Sequence, residues 1–525
     1  MARTPLFSML RRALSLADAA ESLHVSTSEV MERDAEARVS RRQLLGGVGA
    51  AASAAALQGC APESVTGTAV SEARASVRVV VVGAGLAGLA AAYRLAQRGF
   101  NPVVYDANDR AGGRCFSLRG RFATKSELGG EVIDTGHASI QALATELGLT
   151  LLDQVGAAAS LEQERYHLLG QPWSLAQIVD AYRPVSAILR EDFRSQGSSR
   201  YATYNDFTPA SQALDRLSLD AWMDRIGLRG PLRALLDVAY TSEYGREVSE
   251  QSYLNLLYLI NRKAEPFEIF GESDERYTIL EGNDALVTGM LRAIPSPVRL
   301  GHALESVRAR ADGALQATFR AGGRSVEVTA DKLVLALPFT QLRRCDLRVE
   351  LPAAKLRSIR GLPYGTNAKV MIGTRTRPWA LAGASGLSFH DRVFHESWDS
   401  ARGYPTQAGV MTSFTGGRLG VAVGEGSAQQ QGDRFARELD AVFPGVAAAY
   451  TGDAVRFHWP SARWFDGSYG CYEPGAYTSY VGSEAEPVGN LHFCGEHTST
   501  EAQGYLEGAV ESGERVAREI RQAVR

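Results

Sequence analysis

From residue 77 onward, continuous apolar runs alternate with apolar stripes at helical spacing. Val77 to Val82 is β-branched except at Arg78, as expected of a strand buried on both faces of a parallel sheet. It runs into Gly83-Ala84-Gly85-Leu86-Ala87-Gly88. Leu86, Leu89, Ala92, Leu95 and Ala96 then recur on one helical face, with Gly99 at the predicted helix end. A second strand, Pro102 to Tyr105, ends at Asp106. Near the other end, Asn490 to Cys494 reads as a strand. Leu506, Ala509, Val510, Gly513, Val516, Ala517 and Ile520 then form one face of a final helix, with Glu507, Glu511, Arg518 and Arg521 mostly off it. Between these ends, residues 150–270 are helix-rich. The pattern predicts an α/β protein.

Composition narrows the class. Hydrophobic residues make up 45% of 525 and charged residues 22%, which suits a large packed core and rules out a disordered or collagen-like chain. The formal charge of −3 gives no field that calls for nucleic acid as a partner. The five cysteines, Cys60, Cys115, Cys345, Cys471 and Cys494, form neither a metal clip nor a disulfide framework, and no metal ligands are expected. Glycine is in excess at 53 residues, pointing to many tight turns and to loops where backbone approaches a ligand.

The first sixty residues read as an address. Arg41-Arg42 precedes Gln43 to Gly59, a run of 17 residues without charge, mostly alanine and glycine. It is too short and too weakly apolar to span a bilayer. The arrangement resembles a twin-arginine export signal, which carries folded proteins across the bacterial inner membrane. Leu57-Gln58-Gly59-Cys60 is similar to a bacterial lipoprotein box, with Gln58 replacing the usual small residue. Ala54-Ala55-Ala56 offers an ordinary cleavage site instead. The expected location is the periplasm or cell surface, with Cys60 as a possible lipid anchor. Residues 60–76 read as a flexible linker.

The glycine-rich turn carries the first chemistry. Gly83 permits the tight turn, Gly85 admits a pyrophosphate close to the backbone, and Gly88 lets helix and strand pack. The helix N-terminus offers free N–H groups to phosphate. Asp106, 18 residues past Gly88, is placed to accept hydrogen bonds from an adenosine ribose, and its charge disfavours a 2′-phosphate. Strand, glycines, helix, strand and acid together define a dinucleotide site. Asp106-Ala107-Asn108-Asp109-Arg110-Ala111-Gly112-Gly113-Arg114 continues from it, with two glycines and two arginines suited to a second phosphate.

This extended fingerprint resembles that of the FAD-dependent amine oxidases, the flavin monoamine oxidase and L-amino-acid oxidase family. Leu128-Gly129-Gly130-Glu131 is similar to the family loop beside the flavin ring. Gly495-Glu496-His497-Thr498-Ser499 and Gly504-Tyr505-Leu506-Glu507-Gly508 are similar to its C-terminal flavin segment, with Cys494 where alanine is usual. The resemblance implies a Rossmann-like FAD-binding domain assembled from discontinuous segments (77–149, 275–345 and 455–525). It also implies an α+β substrate domain (150–274 and 346–454), behind an export signal at 1–59. Gly83, Gly85, Leu86, Ala87, Gly88, Asp106, Ala107, Arg110, Gly113, Arg114, Gly130, Glu131, Gly495, Glu496, Tyr505 and Leu506 are the implied FAD contacts, and Val307 would bond the adenine through its backbone.

The same resemblance assigns the chemistry. Lys369, on a predicted strand after Gly361-Leu362-Pro363-Tyr364-Gly365-Thr366-Asn367-Ala368, matches the lysine placed through a water against flavin N5. Such an ammonium favours reaction of reduced flavin with dioxygen. Tyr469 and Tyr505 match the aromatic cage that aligns the amine. Ser468 stands where some relatives carry a flavin-linked cysteine, and Cys471 lies three residues on, so noncovalent FAD is expected. The implied function is oxidative deamination of a primary amine or L-amino acid, with electrons passed to dioxygen. Other readings are an L-amino-acid oxidase proper, a flavin desaturase or dehydrogenase, and a non-catalytic flavin-binding surface lipoprotein. Val132 occupies the position of the carboxylate-binding arginine of one branch of L-amino-acid oxidases, which favours amines over neutral amino acids. Glu131 or Asp134 is the acid that would meet a second ammonium. For the leader, lysine at both Arg41 and Arg42 is expected to retain the protein in the cytoplasm on fractionation. Export of that double variant would refute the twin-arginine reading.

Overall fold

The computed structural model describes residues 76–197 and 201–524. The expected export segment, Cys60 and the linker up to residue 75 lie outside the described residues. Val79–Val82 is buried at every position and sits inside a four-stranded parallel sheet. The order is Leu491–Phe493, Lys332–Leu335, Val79–Val82, Val103–Tyr105. Its strands come from both ends and the middle of the chain, as expected of a dinucleotide domain assembled from separate segments. The fold is mixed α/β, with a Rossmann-like half and a substrate half.

The helices Leu86–Ala96 and Leu506–Ala523 pack against one another across this sheet. Their approach is too close for side chains at the crossing. A β-carbon on Gly513 would stand 2.4 Å from the Ala87 carbonyl oxygen and 2.8 Å from the Ala91 nitrogen. Gly88 is equally confined, with a β-carbon there falling 2.0 Å from the Gly83 oxygen. That is the packing role its place in the motif predicts.

A second, antiparallel sheet carries Arg324–Ala330, Leu315–Ala321 and His302–Ala309, with Asp346–Arg348 added in parallel. The third sheet has seven strands in the order Tyr450–His458, Ala368–Thr374, Gly409–Thr415, Glu396–Asp399, Ala384–His390, Glu162–Leu168, Gln171–Trp173. Helices including Leu175–Ser195 and Gly230–Tyr244 cover it, and their tyrosines and leucines join the largest apolar cluster. The helix-rich stretch 150–270 therefore also supplies two strands of this sheet. Tyr450–His458 runs straight through the expected domain join at 454/455. Its pairing with the Lys369 strand keeps the whole strand in the substrate half, so the chain crosses over after His458.

Crowding at the helix crossing yields a prediction. Gly513→Val must push backbone apart, at a cost of about 1–3 kcal/mol. The expected outcome is a lower unfolding temperature and reduced flavin content in the purified protein, both measured against wild type.

Candidate functional site

One elongated cavity runs from the parallel sheet to the seven-stranded sheet, with about 2310 Å³ of space not filled by protein atoms, part of it open to solvent. At its first end the wall is made by Gly83, Gly85, Leu86, Ala87, Asp106 and Ala107. The two Asp106 oxygens accept the Ala84 N–H at 2.6 Å and the Asn108 N–H at 2.7 Å. Burial raises this carboxyl above its ordinary range, against the pull of those two bonds. The Leu86–Ala96 helix starts at Gly85 with no side-chain cap, so its first N–H groups face the cavity unclaimed by a capping side chain. A β-carbon on Gly85 would meet nothing within 4 Å; the space beside it belongs to the cavity.

Three residues expected to touch the cofactor lie off this wall. Gly88 is behind it, in the helix–strand contact. Arg110 turns back to donate to the Ala111 and Gly113 carbonyls, at 3.2 and 2.7 Å, and lies over the Phe116 ring at 3.8 Å. Its guanidinium thus braces the Gly112-Gly113 turn from outside. Val307 is fully buried, its strand paired on both sides with Ala317 and Leu347. The strand reaches the cavity through His302, Ala303 and Leu304 instead.

Midway, Arg114 joins segments 382 residues apart. Its guanidinium donates to the Ser468 carbonyl at 2.5 Å and pairs with Glu496 at 2.7 Å. The second Glu496 oxygen accepts the Gly504 N–H at 3.0 Å. Gly113, Gly130, Gly495 and Leu506 complete this stretch. The donor set fits FAD: a buried acid for ribose, an uncapped helix N-terminus and bare glycine for pyrophosphate, and, farther along, wall donors. Of these, Gln503 Nε2 is buried and bonded to no described residue.

At the far end Lys369 crosses from its strand to the loop after Leu128. Its ammonium donates to the Glu127 carbonyl at 3.0 Å, the Gly129 carbonyl at 2.9 Å and Glu131 Oε2 at 2.8 Å. Burial opposes charge on Glu131, but the Lys369 ammonium outweighs it and holds the carboxyl below its usual value. Glu131 is therefore committed to Lys369 and not free for a second substrate ammonium. Asp134 accepts the Glu275 N–H at 2.9 Å and faces His137 at 3.2 Å; it lies outside the cavity wall.

Tyr469 and Tyr505 both line this end, and one residue anchors both. The Tyr469 hydroxyl donates to the Glu243 carbonyl at 2.7 Å, and the Tyr505 hydroxyl to the Glu243 carboxyl at 2.9 Å. Glu243 sits at the end of Gly230–Tyr244, whose stop is Gly245 at φ 70°. Ser468 lines the cavity and donates to Asn367 at 2.5 Å. Cys471 is fully buried off the wall, 3.9 Å from Asn255 Nδ2.

Four wall residues escape sequence reasoning: Glu243, Glu275, Glu396 and Arg402. Each occupies a helix end, loop or strand where a lone charge reads as solvated. Burial lifts Glu243 to about 7, with Asp134 adding to it, and Glu275 to about 8, with Glu243 and Asp134 adding to it; burial and neighbouring acids push Glu396 well up beside Ser242.

Together these features define a two-domain flavoprotein oxidoreductase, its cavity running from the nucleotide fold into a substrate sheet. The chain belongs to the flavin-containing amine oxidoreductase family, whose model matches residues 86–521, and it carries out FAD-dependent amine oxidation. It is similar to a flavin-containing amine oxidase of Danio rerio, with 24% identity covering 84% of this chain and 85% of that protein. Similarity to amine oxidase B of Bos taurus is also 24%, over 85% and 86%. Among solved structures it resembles cyclohexylamine oxidase from Brevibacterium oxydans, at 21% identity and a TM-score of 0.73 over 85% of this chain and 99% of that one. A putrescine oxidase bound to putrescine matches with 21% identity, the same coverage and a TM-score of 0.72.

The buried acids yield a pH prediction. An ordinary glutamate titrates at 4.5, whereas folded Glu275 titrates at about 8. Between those values the folded state holds a proton that the unfolded state has released, so stability falls as pH rises through this window. Thermal melts of flavin-loaded protein at pH 5, 6.5 and 8 are expected to show that fall, and Glu275→Gln is expected to make it shallower.

Proposed function

We propose that this protein is an exported oxidase that deaminates a primary amine or an L-amino acid, passing electrons to dioxygen. The products are hydrogen peroxide, ammonia, and an aldehyde or 2-oxo acid. FAD is held noncovalently; the burial of Cys471 away from the cavity supports this, as does a serine at 468. Gly85 and the first turn of Leu86–Ala96 would hold the pyrophosphate, Asp106 the ribose, and Gly495 with Glu496 the next stretch.

When bound, FAD supplies the two-electron oxidation of the C–N bond. The chain supplies position and charge. Tyr469 and Tyr505, each tied to Glu243, present a slot for the neutral amine, so the α-carbon is held in one orientation. Both phenols are raised by burial and neighbouring acids and stay uncharged across the working range. Lys369 keeps its ammonium fixed by three oxygens of one loop, a cation beside the site where dioxygen takes up negative charge. That placement, in the same wall as the two tyrosines, is the observation that carries the proposal.

The test is anaerobic mixing of purified holoprotein with matched amines and L-amino acids. Loss of the oxidised-flavin absorbance is expected with at least one, and air should restore it with release of peroxide. No bleaching by any member would overturn the reading. Lys369→Met is expected to slow reoxidation by dioxygen at least about tenfold, with a smaller effect on anaerobic reduction measured in the same apparatus.

A further inference from the structure

Four lysine and arginine side chains line the cavity: Arg114, Arg344, Lys369 and Arg402. Arg114 pairs with Glu496 at 2.7 Å, Arg344 with Asp466 at 2.8 Å, and Lys369 with Glu131 at 2.8 Å. Arg402 has no carboxylate within 4 Å and no hydrogen bond from its guanidinium among the described residues, and its Nε is buried without a partner. A buried guanidinium with its N–H groups unmet is costly, and in a cavity wall a bound ligand or water is what would satisfy it.

The backbone beneath Arg402 is tightly held. It lies in the turn joining Glu396–Asp399 to Gly409–Thr415. Asp399 accepts the Ala401 N–H at 2.9 Å through its side chain and the Arg402 N–H at 3.1 Å through its carbonyl. Arg377 clamps the same turn, donating to the Ala401 carbonyl at 2.5 Å and facing Asp399 at 3.5 Å. The turn thus spends its hydrogen bonds on its own backbone and leaves the guanidinium to the cavity.

Three carboxylates act on Arg402 from farther off: Asp399, Glu275 and Glu131. Asp399 is engaged by the turn, Arg377 and Trp379, and Glu131 by Lys369. Glu275, at about 8, keeps its proton at neutral pH and does not neutralise the arginine. Arg402 is therefore the one cavity cation among the described residues with no carboxylate paired to it, which suits an anionic group.

We infer that Arg402 binds a carboxylate of the substrate, so that the amine oxidised here belongs to an α-amino acid. This rests on the proposed function and names its substrate class. It replaces the preference for amines, which followed from Val132: the guanidinium comes from a turn of the substrate sheet. Arg402 thereby becomes a specificity-determining residue, with a planar fork suited to bidentate carboxylate binding.

The experiment uses FAD-loaded protein and a panel in which each side chain appears as L-amino acid, as decarboxylated amine and as the carboxylic acid lacking the amine. Calorimetry reads binding of the acids without turnover, and kcat/KM is measured for the other two classes. Wild type is expected to bind the best acid of the panel and its primary amide at least tenfold more weakly. Arg402→Met should weaken the acid about 30-fold or more and lower kcat/KM for the amino acid similarly, while the matched amine changes less than about threefold. Arg402→Lys should recover part of the acid binding. Because Arg402→Met removes an unpaired buried charge, it is expected to melt at or above the wild-type temperature with full flavin content. Unchanged acid binding in Arg402→Met, equal binding of acid and amide by wild type, or no acid bound would each overturn the inference. If the acids bind through Arg402 but no amine or amino acid bleaches the flavin, the inference stands and the oxidase reading falls.

Discussion

The arrangement of this molecule depends on one buried ammonium. Lys369 belongs to the seven-stranded sheet, yet its charge is met by oxygens of residues 127–131, which belong to the nucleotide half. A desolvated ammonium costs several kcal/mol unless partners are correctly placed. The two halves must therefore dock in one register, and the cavity is the space left between them. Arg114 and Glu496 make a second such tie between the N-terminal and C-terminal segments of the nucleotide half. Both ties are charged and short, the first buried and the second largely so, which makes them poor sources of net stability but strict about geometry.

The nucleotide half was largely legible because its constraints are local. Val79–Val82, the glycines after it, the helix and Asp106 obey rules that act within thirty residues, and the observed strand and helix fall where the pattern puts them. Arg110 and Val307 show where local rules stop. A cation next to a glycine pair can face a phosphate or brace the turn, and spacing does not distinguish these. A strand residue faces a cavity or a neighbouring strand according to which partners flank it, and those partners lie elsewhere in the chain. Arg402, Glu243, Glu275 and Glu396 were illegible for a sharper reason. None carries a local pattern that marks it as buried, and only the tertiary arrangement buries it.

That buried chemistry gives the cavity an electrostatic character that counting charges misreads. Its wall contains more acids than bases, but burial and crowding keep Glu275 protonated at neutral pH and push Glu396 the same way, while Lys369 and Arg114 are paired with carboxylates. What an arriving molecule meets is a mostly apolar chamber with one unpaired guanidinium. Protonated acids also act as donors, so these side chains present O–H groups where formal charges would predict carboxylates.

The contact between Leu86–Ala96 and Leu506–Ala523 has a consequence in time. The first helix of the nucleotide fold is synthesised well before the helix it must embrace, which starts after Tyr505. The central strand Val79–Val82 likewise waits for Lys332–Leu335 before its second edge is paired. No chain that stops short of Tyr505 can present the completed cavity, and until then the nascent protein carries an unfinished nucleotide half. A protein built this way must be kept from aggregating until that helix closes the nucleotide half.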